Sequence, residues 1–424
     1  MSELHYDWDS GPAEIQQHSI AKHNVLKAYL AAYFPTLISS PKQEVFRVTM
    51  VDAFAGGGLF LHANTGQNVK GSPLIFLDAA REAEFTVNEG RARKVRFEVD
   101  HIFVDANRSA CLHLDKVLRE AGHGAGIGQS IQIRNARFQD EADQVIEFIR
   151  QKSPKNGRSI FALDQYGYAE VPTDLIRKIF ANLASAEVIL TFAVDSFLNY
   201  ANSGSTTRST LANIGIADAF DGVDIETVKG SDKQWRLFIQ SRLYRSLVAK
   251  CGARHYTPFF IRNNEGHGDY WLIHLSQHPI ARDVMADVHW KNHNRFIHYG
   301  GAGLDMFGYE PQADGKFTGQ TALGFEFDGY AREASVEALR AQIPHRVYAN
   351  ESGISFGELF MSSCNDSPAT ASIYRSALEL LVQDRTLEVV SREGVQRRSA
   401  MAIHVADQIM QPRQTTLFGL GSSK

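Results

Sequence analysis

Cysteine is scarce in this chain: 424 residues hold three, Cys111, Cys251 and Cys364, far apart and without a Cys-x-x-Cys pair. That scatter excludes a disulfide framework and a structural zinc site, and it fits a reduced, cytoplasmic protein. Long apolar runs are missing as well; none approaches the roughly 18 residues needed to span a bilayer. The opening MSELHYDWDS lacks the basic and apolar regions of a signal peptide. An excess of positive charge is also lacking, because 44 Lys and Arg face 48 Asp and Glu for a net charge of −4. Any nucleic-acid contact must then come from local patches. What is present is an ordinary globular composition, 44% apolar and 22% charged, long enough for two or three domains with a large core.

Periodicity predicts a first helix from His18 to Tyr33, with Ile20, Leu26, Tyr29, Leu30 and Tyr33 on one face and Pro35 ending it. A buried strand, Val45–Val51, then runs straight into Asp52-Ala53-Phe54-Ala55-Gly56-Gly57-Gly58. Further β-rich segments at Phe97–Val104, Ile131–Arg134, Ser159–Leu163 and Glu187–Val194 alternate with helical stretches, the pattern of a mostly parallel sheet with helices on both faces. Arg254–Ile261 and Asp269–Leu275 read as a hairpin. A parallel sheet finished by a hairpin is the arrangement of Rossmann-like methyltransferases, so the expected fold class is α/β of that type. Residues 1–42 form an N-terminal helical segment and 43–290 this domain, with 203–233 as an insertion. Residues 291–345 read as an irregular linker, rich in Gly, Asn and aromatics from Asn292 to Gly329. Beyond it, helices at Phe356–Cys364 and Ala369–Gln383 and strands at Thr386–Val390 and Ala400–Val405 give a winged-helix pattern over 346–408, followed by a flexible tail, 409–424.

The glycines after the first long strand allow a tight turn and close approach of a ligand to bare backbone. Asp52 is placed to hold an amino or cationic group, with Phe54, Gly56 and Gly58 around the ligand. Asp105, ending Ile102–Val104, is placed to accept hydrogen bonds from two ribose hydroxyls, and Asp140 follows the next strand, where adenine would lie. Asp105 lies about 47 residues beyond Gly58, against roughly 20 in a nucleotide-binding unit, so Leu59–Val69 must be an extra loop before a helix starting near Ser72-Pro73. A nicotinamide fingerprint fits less well, since Gly56-Gly57-Gly58-Leu59-Phe60-Leu61 lacks the last glycine. Asp164-Gln165-Tyr166-Gly167 falls at the ligand edge of the sheet. Asp164, the Gln165 carbonyl and the Tyr166 ring are the groups needed to grip an exocyclic amine and stack on its base; the bland alternative is a strand-to-helix turn.

Taken together, Ala21–Leu30 with Lys22-His23, Asp52–Gly58, Gly71-Ser72-Pro73-Leu74, Phe103-Val104-Asp105 and Phe161–Gly167 resemble the three-Cys-motif partner protein family, TcmP. The match in order and spacing covers residues 20–200. Lys22-His23 ahead of a glycine-turn strand also looks like ribosomal-RNA adenine methyltransferases of the RlmJ type. This resemblance implies that Lys22 and His23 line an S-adenosylmethionine site, and that a partner protein with a three-cysteine motif, of radical-enzyme type, works beside the chain. Gln165 stands where the family form Asp-Pro-[Phe/Tyr]-Gly has proline.

In the C-terminal unit, Arg392, Arg397 and Arg398 lie in the expected wing, where each would neutralise about one phosphate; a protein–protein module with a solvated basic turn is the alternative. The tail residues Gln414, Leu417 and Phe418 resemble the short Gln-x-x-Leu-Phe peptides with which bacterial proteins dock on the sliding clamp. The expectation is a methyltransferase acting on an amino nitrogen of nucleic acid. Its rival is a non-catalytic subunit that binds cofactor or nucleic acid for a radical-type partner.

Overall fold

The computed structural model describes residues 7–15, 17–165, 170–231, 235–261, 270–291 and 329–412. They fall into two compact units, one running to residue 291 and the other from 329.

Seven strands form the first unit's central sheet: β2 (Val45–Asp52), β5 (Arg96–Asp105), β6 (Ile131–Asn135), β7 (Ser159–Leu163), β8 (Ala186–Phe192), β9 (His255–Ile261) and β10 (Tyr270–Ser276). Their spatial order is β6-β5-β2-β7-β8-β10-β9. The pairs from β6 to β8 are parallel, and β10 runs antiparallel between β8 and β9. This parallel sheet completed by a hairpin is the Rossmann-like methyltransferase fold expected from the sequence. Its strand order reverses at β2, between β5 and β7, which is where ligands bind in open α/β sheets.

The strands are apolar on both faces because helices cover both. Along β2, Val51 enters the core built with α4 (Phe138–Lys152), α5 (Thr173–Asn182) and α9 (Trp235–Cys251). Phe46, on the opposite face, meets Phe34 of α1 (Gln17–Leu37) at 5.7 Å between ring centroids. Phe34, Phe46 and Phe103 are fully buried, each contributing about 2–3 kcal/mol of hydrophobic stabilisation. Helix α1 runs through Pro35 rather than ending at it. Proline lacks an N–H to donate, yet the Thr36 hydroxyl and the Ile38 N–H keep bonding back to Ala32 and Phe34.

The stretch after the glycine turn, expected as a loop, is a hairpin of β3 (Leu59–His62) and β4 (Asn68–Lys70). β3 also pairs in parallel with β1 (Glu14–Ile15), an unforeseen strand of the N-terminal segment. Helices α2 (Ser72–Asn88), with Pro73 in its first turn, and α3 (Arg108–Glu120), capped by the Asn107 side chain, follow the glycine turn and β5. Between β8 and β9 the chain forms α6 (Val194–Tyr200), α7 (Ser205–Ile214), α8 (Ile225–Ser231) and α9, and α10 (Pro279–Lys291) follows β10.

The second unit is a winged helix. It holds α11 (Gly329–Tyr348), α12 (Phe356–Ser363), α13 (Ala371–Gln383) and a sheet of order β11-β13-β12, made of Ile354–Ser355, Gln408–Met410 and Glu388–Val390. Two expectations are corrected here. Helix α11 occupies the last part, from Gly329, of the stretch read as irregular up to residue 345. The wing's return strand is Gln408–Met410, not Ala400–Val405, which runs as turns because Glu379 and Asp407 capture its backbone N–H groups at Ala400 and His404.

Candidate functional site at the carboxyl edge of the sheet

Strand β2 ends in Asp52, and the turn that follows is stitched to both neighbouring strands. Ala53 N–H donates to Ala162 and Ala55 N–H to Val104, each at 3.0 Å. Gly56 (φ 57°) and Gly58 (φ 79°) take left-handed conformations, the reason for glycine at those two positions. Asp105, at the end of β5, ties the turn down: one oxygen accepts from Gly56 N–H and the other from Asn107 N–H, both at 2.8 Å. Burial pushes its carboxyl upward against these two bonds. Each oxygen keeps a lone pair for a further donor.

Asp52 is fully buried. One oxygen accepts from Phe54 N–H at 3.2 Å, while Oδ2 has no hydrogen-bond partner. Burial pushes its carboxyl up to about 7, partly opposed by the Ser72 hydroxyl and the Phe54 N–H, with Asp164 and Asp105 adding to the rise. Phe54 itself is half-buried against the main core.

Helix α1 delivers Lys22 and His23 to the same edge. Lys22 Nζ donates to both oxygens of Asp164, at 2.6 and 2.9 Å. Burial raises the Asp164 carboxyl, but Lys22, the Thr191 hydroxyl and His23 outweigh it and hold the carboxyl below its ordinary value. His23, which burial lowers to about 4, leaves its Nδ1 without a partner. Gln165 is buried, and its side chain turns inward: Nε2 donates to the Thr191 carbonyl at 3.1 Å, and Oε1 accepts from Glu170 and Val171 N–H at 2.9 and 3.0 Å. Its side chain is thus committed to the protein itself. Tyr166 lies outside the described residues. Asp140 is exposed in the first turn of α4, on the same sheet edge but apart from these bonds.

Three contributors escaped the sequence reading. Trp8 roofs the glycine turn: a Cβ on Gly57 would sit 2.3 Å from its Cε3. The indole meets Phe60 edge-on at 5.0 Å and lies 5.2 Å from His113, whose Nδ1 bonds the Gly57 carbonyl at 2.7 Å. Thr191, the third, accepts from Gln165 Nε2 with its carbonyl. A lone Trp in a polar stretch and a Thr inside the apolar strand Val188–Phe192 are the signals that could have found them.

In the winged helix, Arg392 and Arg398 are exposed. Arg397 turns its Nε inward to the buried carboxylate of Asp407, unlike the other two. Gln414, Leu417 and Phe418 lie outside the described residues. Among the described residues no helix is long and apolar enough to cross a membrane.

Comparison with known proteins is most definite for the second unit. Residues 308–394 match the family model of the GMT-like wHTH domain. No curated protein matches the chain. Among solved structures, it is similar to a Legionella pneumophila protein of the DUF519 family model, with 10% identity, 63% of this chain and 89% of that one covered, and a TM-score of 0.36. It is also similar to the O-methyltransferase TomG of Streptomyces achromogenes in complex with SAM, with 9% identity, coverages of 65% and 94%, and a TM-score of 0.29. The bifunctional kinase-methyltransferase WbdD is similar at 10% identity and a TM-score of 0.31, 61% of this chain covering 39% of that one.

Proposed function

We propose that the chain binds S-adenosylmethionine at the carboxyl edge of its sheet and moves the methyl group to an amino nitrogen of nucleic acid, beside a three-Cys-motif partner. The observation that carries the reading is the buried Asp52 Oδ2 without a partner, at the strand-order reversal, next to a glycine turn tied to Asp105. A buried polar atom left unpaired calls for a ligand donor, and the ammonium of the cofactor's methionyl end is one. Asp105, with spare lone pairs, would take the ribose hydroxyls, and the bare backbone at Gly56–Gly58 admits the ligand closely. When bound, the cofactor supplies a methyl group on a sulfonium, an already activated donor. The chain's work is then to orient the acceptor amine and to stabilise charge growing on its nitrogen. Asp164, held ionised by Lys22, suits that task, and the segment beginning at Gln165 and Tyr166 would receive the base.

A second reading has its own support. Lys22 occupies both oxygens of Asp164, which would suit a subunit that binds cofactor or nucleic acid for a radical-type partner without turnover. Arg392 and Arg398 would contribute phosphate contacts in either case. The tail residues Gln414, Leu417 and Phe418 would dock on the sliding clamp, which a clamp pull-down with Leu417→Ala/Phe418→Ala tests; equal capture of both forms rejects it.

Calorimetric titration with S-adenosylmethionine and S-adenosylhomocysteine, repeated on Asp105→Ala, tests the site. Micromolar binding lost in the variant supports it, and binding to neither ligand rejects it. Transfer of labelled methyl to DNA or RNA, abolished in Asp164→Ala, separates the enzyme from the non-catalytic subunit.

A further inference from the structure

Strand β8 is apolar along its length except for Glu187 near its amino end and Thr191 near its carboxyl end. Glu187 is 8% exposed, and its Oε2 serves two elements at once. It accepts from the Tyr29 hydroxyl of α1 and bonds His274 Nε2 of β10, the latter at 3.0 Å. The Tyr29 and His274 rings are buried and lie 5.0 Å apart between centroids. Burial, and Glu187 beside it, push the Tyr29 phenol well above its ordinary value, so it stays a donor. None of the three takes part in the bonds of the carboxyl-edge site.

Their bearing on that site runs along α1. Tyr29 lies seven residues beyond Lys22, two turns on along the same helix face and about 10 Å down the axis. The carboxylates that the two side chains reach stand on neighbouring strands. Leu163 pairs with Leu190, which brings Asp164 level with Thr191, four residues or about 13 Å above Glu187. Helix and sheet thus meet at two polar points of similar spacing, Lys22 on Asp164 and Tyr29 on Glu187. Apolar contacts are non-directional and tolerate a shift of one element over another. A one-turn slide of about 5.4 Å would break both polar bonds, and a buried polar group left unpaired is costly.

We propose that Tyr29, Glu187 and His274 are positioning residues of the carboxyl-edge site: they fix the register of α1 on the sheet and thereby hold Lys22 on Asp164. The proposal rests on the reading that Lys22 and Asp164 belong to the functional site. Glu187 is the fixed point on the strand, Tyr29 sets the height of the helix, and His274 steadies the carboxylate from β10.

The test reads Lys22 directly in the full chain. Trace acetylation with acetic anhydride, followed by peptide mass, gives the labelling of Lys22 relative to Lys27, an exposed lysine of the same helix. Tyr29→Phe keeps the ring and removes the donor; it should raise that ratio at least about fivefold, the factor that one lost hydrogen bond is worth. Glu187→Leu should raise it further. Glu187→Gln keeps an acceptor for the hydroxyl and should bring the ratio to within about twofold of wild type. Phe34→Leu controls for general loosening: it trims the contact of α1 with Phe46 and should lower the denaturant midpoint without moving the ratio. Affinity for S-adenosylhomocysteine should fall in Tyr29→Phe and hold in Phe34→Leu. A wild-type ratio in both Tyr29→Phe and Glu187→Leu overturns the proposal. So does a ratio in Phe34→Leu as high as in Tyr29→Phe, which would make the bonds merely structural. Absence of S-adenosylhomocysteine binding in wild type would count against the cofactor reading alone, since the labelling ratio still decides the role of the three residues.

Discussion

Two buried carboxylates, one in each unit, are treated in opposite ways. Asp52 is fully buried with one oxygen unpartnered, and its carboxyl is pushed up to about 7. Asp407 is 2% exposed, and its Oδ2 takes both Arg397 Nε and His404 N–H. Burial pushes Asp407 upward too, but Arg397 and the backbone donor outweigh it and hold the carboxyl below its ordinary value. The difference is one of satisfaction. A satisfied buried charge closes a structure, and an unsatisfied one is a standing cost that a ligand can relieve. The wing therefore holds itself together with its charge, whereas the sheet edge leaves one buried carboxylate oxygen unpaired.

The comparison can be broken most forcefully at Asp407. Asp407→Ala should leave Arg397 and the His404 N–H without their acceptor and cost about 3 kcal/mol, seen by denaturant unfolding of the full chain and as faster amide exchange over 396–407. A wild-type stability would mean that the pair is decorative. Next in size is Lys22→Met, which strands Asp164; about 2 kcal/mol should be lost at neutral pH, less than for a fully buried pair because Asp164 stays 33% exposed. Asp164 has a lowered value in the fold, so the stability of this pair is present at neutral pH and lost as pH falls through the folded value. The cost of Lys22→Met should shrink on acidification, and a pH-independent cost would point to lost packing instead.

Asp52→Asn should do the reverse. Its carboxyl titrates higher in the fold than in the unfolded chain, so the ionised form penalises folding increasingly as pH rises toward about 7. The amide should add about 1–2 kcal/mol above neutrality and little near pH 4, while abolishing S-adenosylmethionine binding. A stability gain with binding intact would separate this carboxyl from the ligand site. The smallest effect belongs to the free arginines: Arg392→Ala with Arg398→Ala should change stability by less than about 0.5 kcal/mol. Should the unit bind nucleic acid, that double change would lower the salt slope of affinity by about 2, measured by titration at several salt concentrations.

The glycine turn, the parallel strands and the closing hairpin could be read directly because each is announced by local sequence: β-rich runs, a Gly triplet, acidic strand ends. Long-range pairing was not announced. Nothing near Lys22 tells that it meets Asp164, 142 positions on, and nothing in Gln165 tells that its side chain is taken up by Thr191. Helix α11 did leave a trace, since its buried residues Ala331, Ser335, Leu339, Ile343 and Val347 recur every four. Pro344 and the Gly-rich stretch before it masked that period. In the wing, Ala400–Val405 alternates like a strand, yet buried Ala400 and Ile403 alongside exposed Met401 and Val405 do not follow a period of two.

The roof over Gly57 has a consequence for biosynthesis. Trp8 finds its floor only when Phe60 and His113 are in place, and about 100 residues separate it from His113. At roughly 10 residues per second of translation, the indole waits on the order of ten seconds beside an emerging, unfinished sheet. Until then the turn stays uncovered on the side that the tryptophan later closes.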